Sequence, residues 1–122
     1  MTTNIVDKDG NSIAAADATV PSDRHFRNAW SLSGSTITED ITESKKIFQD
    51  KIREVRNPLL AAEDVIYMKA LEADDSDAKT ASVAKKKALR DAPAASAISS
   101  ADTIAKLKAA WDTSTLGDSP YA

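Results

Sequence analysis

The sequence predicts a mainly α protein: a long antiparallel helical hairpin, with a small N-terminal β-hairpin before it and a short C-terminal helix after it. Three observations carry that reading. An apolar seam with helical spacing runs from Ile41 to Ile66. Turn residues cluster ahead of it and after it. Asp, Ser and Thr stand where helices would need caps. The chain divides accordingly into a β/loop segment (1–37), the helical hairpin (38–92) and a short helix with an extended tail (93–122).

Residues 1–37 hold two of the three glycines and short apolar runs suited to strands. Thr2 to Val6 reads as a first strand. Asp7-Lys8-Asp9-Gly10-Asn11 is turn chemistry, in which Asp and Asn side chains bond nearby backbone and Gly accepts positive φ. Phe26 to Leu32 reads as a second strand, with Phe26, Asn28, Trp30 and Leu32 on one face by the period of two. Ser33-Gly34-Ser35 supplies a tight turn, and Thr36-Ile37-Thr38 returns as a third strand. Strands this few and short are not stable alone in water and must pack on something else.

From Thr38, read as an N-cap, the pattern becomes helical, and Glu39, Asp40 and Glu43 place negative charge at the positive end of the helix dipole. Ile41, Phe48, Ile52, Val55, Leu59, Ala62 and Ile66 follow at spacings of seven, then four, three, four, three and four. That is a heptad a/d seam, interrupted only at Lys45. The seam keeps phase across Pro58, which favours one helix over about 39–73, kinked near Arg56-Asn57; two helices meeting at Pro58, with the proline in a first turn, is the alternative. Ser76 or Asp75 caps a second helix over 77–91, which Pro93 stops. The short link forces the two helices antiparallel. A third helix is expected after Ser100 as cap, with Ile104, Leu107 and Trp111 on one face. Asp112 to Ala122 is expected to be irregular.

The chain has 122 residues, enough for one domain with a modest core. Its hydrophobic fraction of 42% leans on alanine, and it holds only two Phe, two Trp and two Tyr. Alanine buries little area, so the core should be thin and in part completed by partner chains. The second helix offers mostly alanine (Ala78, Ala81, Ala84, Ala88) against the seam. Two readings follow: the seam closes within one hairpin, or it also packs against another chain.

The net charge of −3 argues against general attraction to nucleic acid or to anionic lipid. Lys85-Lys86-Lys87 is the only basic run and has no aromatic neighbour for base stacking. Without cysteine there are neither disulfides nor thiolate metal sites. No stretch approaches the ~20 apolar residues of a membrane span. MTTNIVDKDG has no basic region followed by an apolar run, so it is not read as a signal peptide.

Candidate chemistry is sparse. His25 is the only histidine, and no serine sits in a nucleophile elbow to partner it. Asp7, Asp9 and Asn11 match the first oxygen positions of a calcium loop. Ser12 stands where that loop needs Gly, and Ala18 where it needs the bidentate Glu, so the segment reads as a turn. Glu63 and Asp64, and Glu39 with Glu43, read as solvated helix surface. No catalytic, cofactor or metal residue is expected. The residues expected to make protein contacts are Phe26, Trp30, Ile41, Phe48, Ile52, Val55, Leu59, Ile66, Trp111 and Tyr121.

Arg53, then Arg56-Asn57-Pro58-Leu59-Leu60, Asp64, Lys69-Ala70-Leu71-Glu72-Ala73 and Lys87-Ala88-Leu89-Arg90-Asp91-Ala92-Pro93 form a pattern that resembles the helical-hairpin proteins of tailed bacteriophages. These include phage tail assembly chaperones and segments of tail-fibre-associated proteins. Phe26-Arg27-Asn28-Ala29-Trp30 is similar to the aromatic strand ahead of the hairpin in some marine-phage versions. The resemblance spans about residues 22–111 and brings no catalytic residue with it. It implies a non-enzymatic virion component of the tail, fibre or neck, present in the host cytoplasm during assembly. Its partners would be other phage tail or virion proteins, in an oligomeric assembly, with neither nucleic acid nor membrane bound. A transient assembly chaperone is the alternative it implies.

Overall fold

The structure is a computed structural model that describes residues 4–121. Its element order is β1 (Asn4–Val6), β2 (Ser12–Ala14), β3 (Trp30–Ser33), β4 (Thr36–Glu39), α1 (Ile41–Glu72), α2 (Ser76–Asp91), α3 (Ser96–Ser99), α4 (Ile104–Ala109) and α5 (Thr113–Leu116). The fold is mainly helical, with α1 packed antiparallel on α2, and strand pairs at the N-terminal end.

β1 and β2 form one antiparallel hairpin, with Ile5 opposite Ile13. Of the strand read over Thr2–Val6, Thr2 and Thr3 lie outside the described residues. β2 was not expected; its three residues are too few to show a period. β3 and β4 form a second hairpin, Trp30 opposite Glu39 and Ser33 opposite Thr36. Gly34, at φ +62°, takes the first position of the two-residue turn, where a positive φ is required.

Phe26 to Ala29 are not strand, contrary to expectation. Arg27–Ala29 make one 3-10 turn, closed by the Ala29 N–H donating to the Phe26 carbonyl at 2.8 Å. Phe26 and Ala29 are both buried, and a spacing of three points them to one side only if the chain turns helically. The helix start also differs. β4 holds Thr38 and Glu39 in the ladder, so the cap falls on Asp40, whose carboxylate accepts the Glu43 N–H at 3.1 Å.

α1 is 32 residues long and runs unbroken through Pro58. Asp75 caps α2 by accepting the Ala78 N–H at 3.0 Å. Between the helices Asp74 adopts φ +51°, a left-handed conformation that Asp tolerates better than most residues. Beyond α2 the chain is more regular than expected. Ser100 is not the N-cap expected: it is the C-cap of the short α3, and Thr103 caps α4 by accepting the Lys106 N–H. Trp111 lies just past α4. Asp112 caps α5, so the tail has one helical turn before Gly117.

The core sits where the proximal half of α1 meets both ends of the chain. Phe26, Phe48, Ile52, Leu89, Leu107 and Trp111 belong to one buried cluster, drawn from all three sequence segments. Tyr121 closes it, stacked on Phe26 at 5.2 Å and on Phe48 at 5.4 Å, with its edge toward Trp111 at 6.0 Å. Both Phe, one Trp and one Tyr thus concentrate in one place, a more economical arrangement than six scattered aromatics. The Trp111 indole donates to the Gly117 carbonyl at 3.0 Å and fixes the turn that brings Tyr121 back.

Candidate functional site

The distal half of the hairpin is built differently from the proximal half. Up to Val55 the heptad seam is covered: Phe48 and Ile52 are buried, and Ile41 and Val55 are partly so. Beyond it the seam comes to the surface, with Leu59 37% and Ile66 48% exposed. The cause is helical geometry. A strict 3.5-residue repeat drifts about 20° per heptad around a straight helix, so over three to four heptads the stripe turns well away from its starting direction. α2 instead meets the neighbouring strip of α1, where Glu63 and Ala70 are buried and Leu60 and Tyr67 half-buried. On α2 the buried residues are Ser82 and Leu89, and Ser82 Oγ donates to the Glu63 carbonyl at 3.3 Å. Small residues let the helices approach closely and leave Leu59 and Ile66 outside the contact.

A groove of about 200 Å³ results on that flank. Leu59, Ala62 and Glu63 line it from α1, Lys85, Ala88 and Leu89 from α2, and Ser114 and Thr115 of α5 close its proximal end. Glu63 is only 7% exposed there, and its carboxylate has no hydrogen bond or ion pair among the described residues. On the opposite flank Lys86 pairs with Asp64 at 2.6 Å and stands 5.3 Å from the Tyr67 ring centre. Val65, Met68, Leu71 and Val83 are also about half exposed, so among the described residues six of the eight large exposed apolar side chains lie on the distal hairpin. Such a concentration on one part of a small protein marks a contact surface.

The expected contact residues therefore fall into two groups. Phe26, Trp30, Phe48, Ile52 and Trp111 are internal, and Ile41, Val55 and Tyr121 pack against the core they form. Only Leu59 and Ile66 are open to a partner. Val65, Met68, Leu71 and Val83 were missed because they follow neither the heptad nor a continuous stripe. Drift of the heptad around a 3.6-residue helix is the signal that would have separated the covered seam from the open one.

Two polar candidates are not the solvated helix surface expected: Glu63 is buried against α2, and Glu39 lies in β4 with one carboxylate oxygen buried. Asp7 and His25 are engaged in structure. Asp7 accepts N–H groups from Asp9 and Asn11 on one oxygen, which holds the turn, and from Leu32 on the other, which ties the turn to β3. These bonds, that from Leu32 foremost, hold the Asp7 carboxyl below the usual range. His25 lies edge-on to Tyr121 at 5.1 Å, and its backbone N–H donates to Asp23. Asp23 also pairs with Lys108, tying the N-terminal segment to α4, and this contact lowers its pKa. Nearby, burial and then the Asp23 charge push the Glu39 carboxyl up. Among the described residues no group of three His, Cys, Asp or Glu is placed to hold a metal ion, and no helix is long and apolar enough to cross a membrane.

The fold and its exposed flank define a helical-hairpin protein with an open apolar surface at one end. No family model, curated protein or solved structure matches the chain.

Proposed function

We propose that this chain is a non-catalytic structural component of a tailed-phage virion, associated with the tail, fibre or neck, that docks on other virion proteins through the distal half of its helical hairpin. The observation that carries the contact-making role is the exposure of Leu59, Val65, Ile66, Met68 and Leu71 on a helix whose proximal seam residues Phe48 and Ile52 are buried. The virion setting rests on the hairpin motifs, Arg53 through Leu60 and Lys87 through Pro93, that resemble tailed-phage hairpin proteins. The fold supports a division of labour. The aromatic cluster anchors both ends of the chain around the base of the hairpin, and the hairpin presents its far end as a rod.

Mass spectrometry of purified virions tests the reading. The chain is expected in mature particles at a fixed ratio to a tail protein. Its absence from particles, with presence in infected-cell extracts, overturns the structural role in favour of a transient assembly chaperone.

A further inference from the structure

Glu63 puts a charge where the packing of the hairpin calls for an apolar side chain. It lies on the strip of α1 that meets α2, with Ala70 buried and Leu60 and Tyr67 half-buried beside it, and is itself only 7% exposed. A carboxylate withdrawn from water without a counter-charge destabilises a fold. The polar groups around it are committed elsewhere. Ser82 Oγ donates to the Glu63 backbone carbonyl and leaves the side chain alone. The Ser114 and Thr115 hydroxyls both donate to Asp112, at 2.6 and 2.8 Å. Lys86 is turned to the opposite flank and held by Asp64. Lys85 lines the same groove as Glu63 but is exposed, and it makes no ion pair among the described residues. The groove therefore contains a buried acid that the chain itself leaves without a cation.

We propose that the groove receives a lysine or arginine side chain of the protein on which the hairpin docks, its cation paired with Glu63 and its methylene stem laid against Leu59, Ala62, Ala88 and Leu89. The size fits that occupant. A volume of about 200 Å³ lies below the roughly 300–1,000 Å³ of small-molecule sites and suits one long side chain. The lining fits it as well, since a basic side chain is apolar along its stem and charged only at its tip. The sign of the buried charge then selects the partner. A carboxylate accepts hydrogen bonds from an ammonium or a guanidinium, and in a site shielded from water it repels an acidic group. Lys85 does not reverse that sign, because its exposed ammonium is screened by water and salt. Leu59 and, one heptad further along α1, Ile66 are both exposed and continue the apolar surface beyond the groove. The backbone that carries the basic residue thus has a surface to lie on.

The proposal rests on the contact-making reading and gives its partner a chemistry, and it is tested on the isolated chain. N-acetyl-arginine methylamide is titrated against the protein, with the norleucine and glutamate derivatives as uncharged and acidic counterparts. The methyl signals of Ala62 and Ala88, both exposed in the groove, are followed by NMR. The arginine compound is expected to shift both signals and to bind at least about tenfold more tightly than either counterpart. Glu63→Gln should lose that preference while melting no lower than the parent, because the carboxylate serves the ligand and not the fold. Lys85→Ala should bind the arginine compound more tightly at unchanged stability, since it removes a competing cation. Equal binding of the norleucine compound, a preference for the glutamate compound, or no shift with any of the three overturns the proposal. So does a Glu63→Gln or Lys85→Ala variant that melts several degrees below the parent, for Glu63 would then serve as the partner of Lys85 within the chain. If the arginine compound binds as expected and the chain is absent from purified virions, the groove keeps its basic ligand and the virion reading fails.

Discussion

The Asp7 carboxylate accepts the backbone N–H of Leu32 at 2.8 Å, across 25 residues of sequence, and so joins the first β-hairpin to the second. The Lys8 N–H reinforces it by donating to the Trp30 carbonyl at 3.0 Å. Two hairpins that are each too small to stand alone become one unit through these bonds. Asp7→Ala leaves the N–H groups of Asn11 and Leu32 without that acceptor and should lower the melting temperature by several degrees. Because the folded state holds the Asp7 carboxyl below its usual range, its stabilisation is complete above about pH 4, the ordinary value. It disappears as pH falls through the lowered value. The melting-temperature gap between parent and variant, measured by circular dichroism from pH 7 to pH 2, should therefore stay constant and then close below about pH 4.

The two halves of the heptad seam should respond oppositely to truncation. Phe48 is fully buried between Trp111 and Tyr121, so Phe48→Ala should cost about 3–5 kcal/mol by urea unfolding and leave little folded protein. Ile66 has the same heptad role in sequence but is half exposed, and Ile66→Ser should change monomer stability by about 0.5 kcal/mol or less. Equal losses at the two sites would show that the distal seam is covered within the chain.

This contrast marks what was legible in the sequence. Strong periodicity and caps carry the hairpin and its antiparallel sense, because each is dictated by local geometry; the seam's phase favours continuity through Pro58 but leaves two helices possible, and the structure has one. Whether Leu59 and Ile66 are inside depends on which strip of α1 faces α2, and that is decided by Ser82, Leu89, Glu63 and Ala70 packing at close range. Spacing does not carry that information. The shift of the helix cap from Thr38 to Asp40 has a similar origin. Both residues cap well, and the choice fell to the ladder that pairs Glu39 with Trp30. Phe26–Ala29 was read as strand because a period of two and a single helical turn are indistinguishable over four residues. α3 and α5 span four residues each, below the length at which any period shows.

Pro58 lies inside α1 and cannot donate a backbone hydrogen bond to the preceding turn. It is exposed, so replacing it removes no core contact. Pro58→Ala should stabilise the fold, by as much as about 3 kcal/mol if the helix around it relaxes fully. A higher urea midpoint with unchanged slope is the expected result. A lower midpoint would mean that the local helix shape imposed by proline is needed to bring Arg56 to the Arg90 carbonyl.

Glu39 has one carboxylate oxygen buried without a hydrogen-bond partner among the described residues, beside the Asp23–Lys108 pair. Burial foremost, and Asp23 after it, raise its pKa, so the folded state prefers the protonated acid. Ionised Glu39 therefore lowers stability at neutral pH, and the penalty fades as pH falls through the raised value toward the ordinary one. Glu39→Gln, uncharged throughout, should melt a few degrees higher than the parent at pH 7 and at nearly the same temperature near pH 4.

Tyr121 tests the closure of the core from the alkaline side. Its phenol is pushed up to about 12, chiefly by burial and then by the Glu54 charge. An unfolded tyrosine ionises near pH 10, so above that pH the unfolded state releases a proton that the folded state keeps. Stability must then fall from about pH 10 upward, until the folded phenol itself ionises. Tyr121→Phe keeps the stack on Phe26 and Phe48 and removes the titration, so its urea midpoint should decline less steeply over pH 10–12 than that of the parent. Tyr121→Ala removes the stack as well and should cost about 2 kcal/mol at pH 7, with a red shift of Trp111 fluorescence as its neighbour is lost. An Ala variant as stable as the parent would show that Phe26, Phe48 and Trp111 hold both ends of the chain without it.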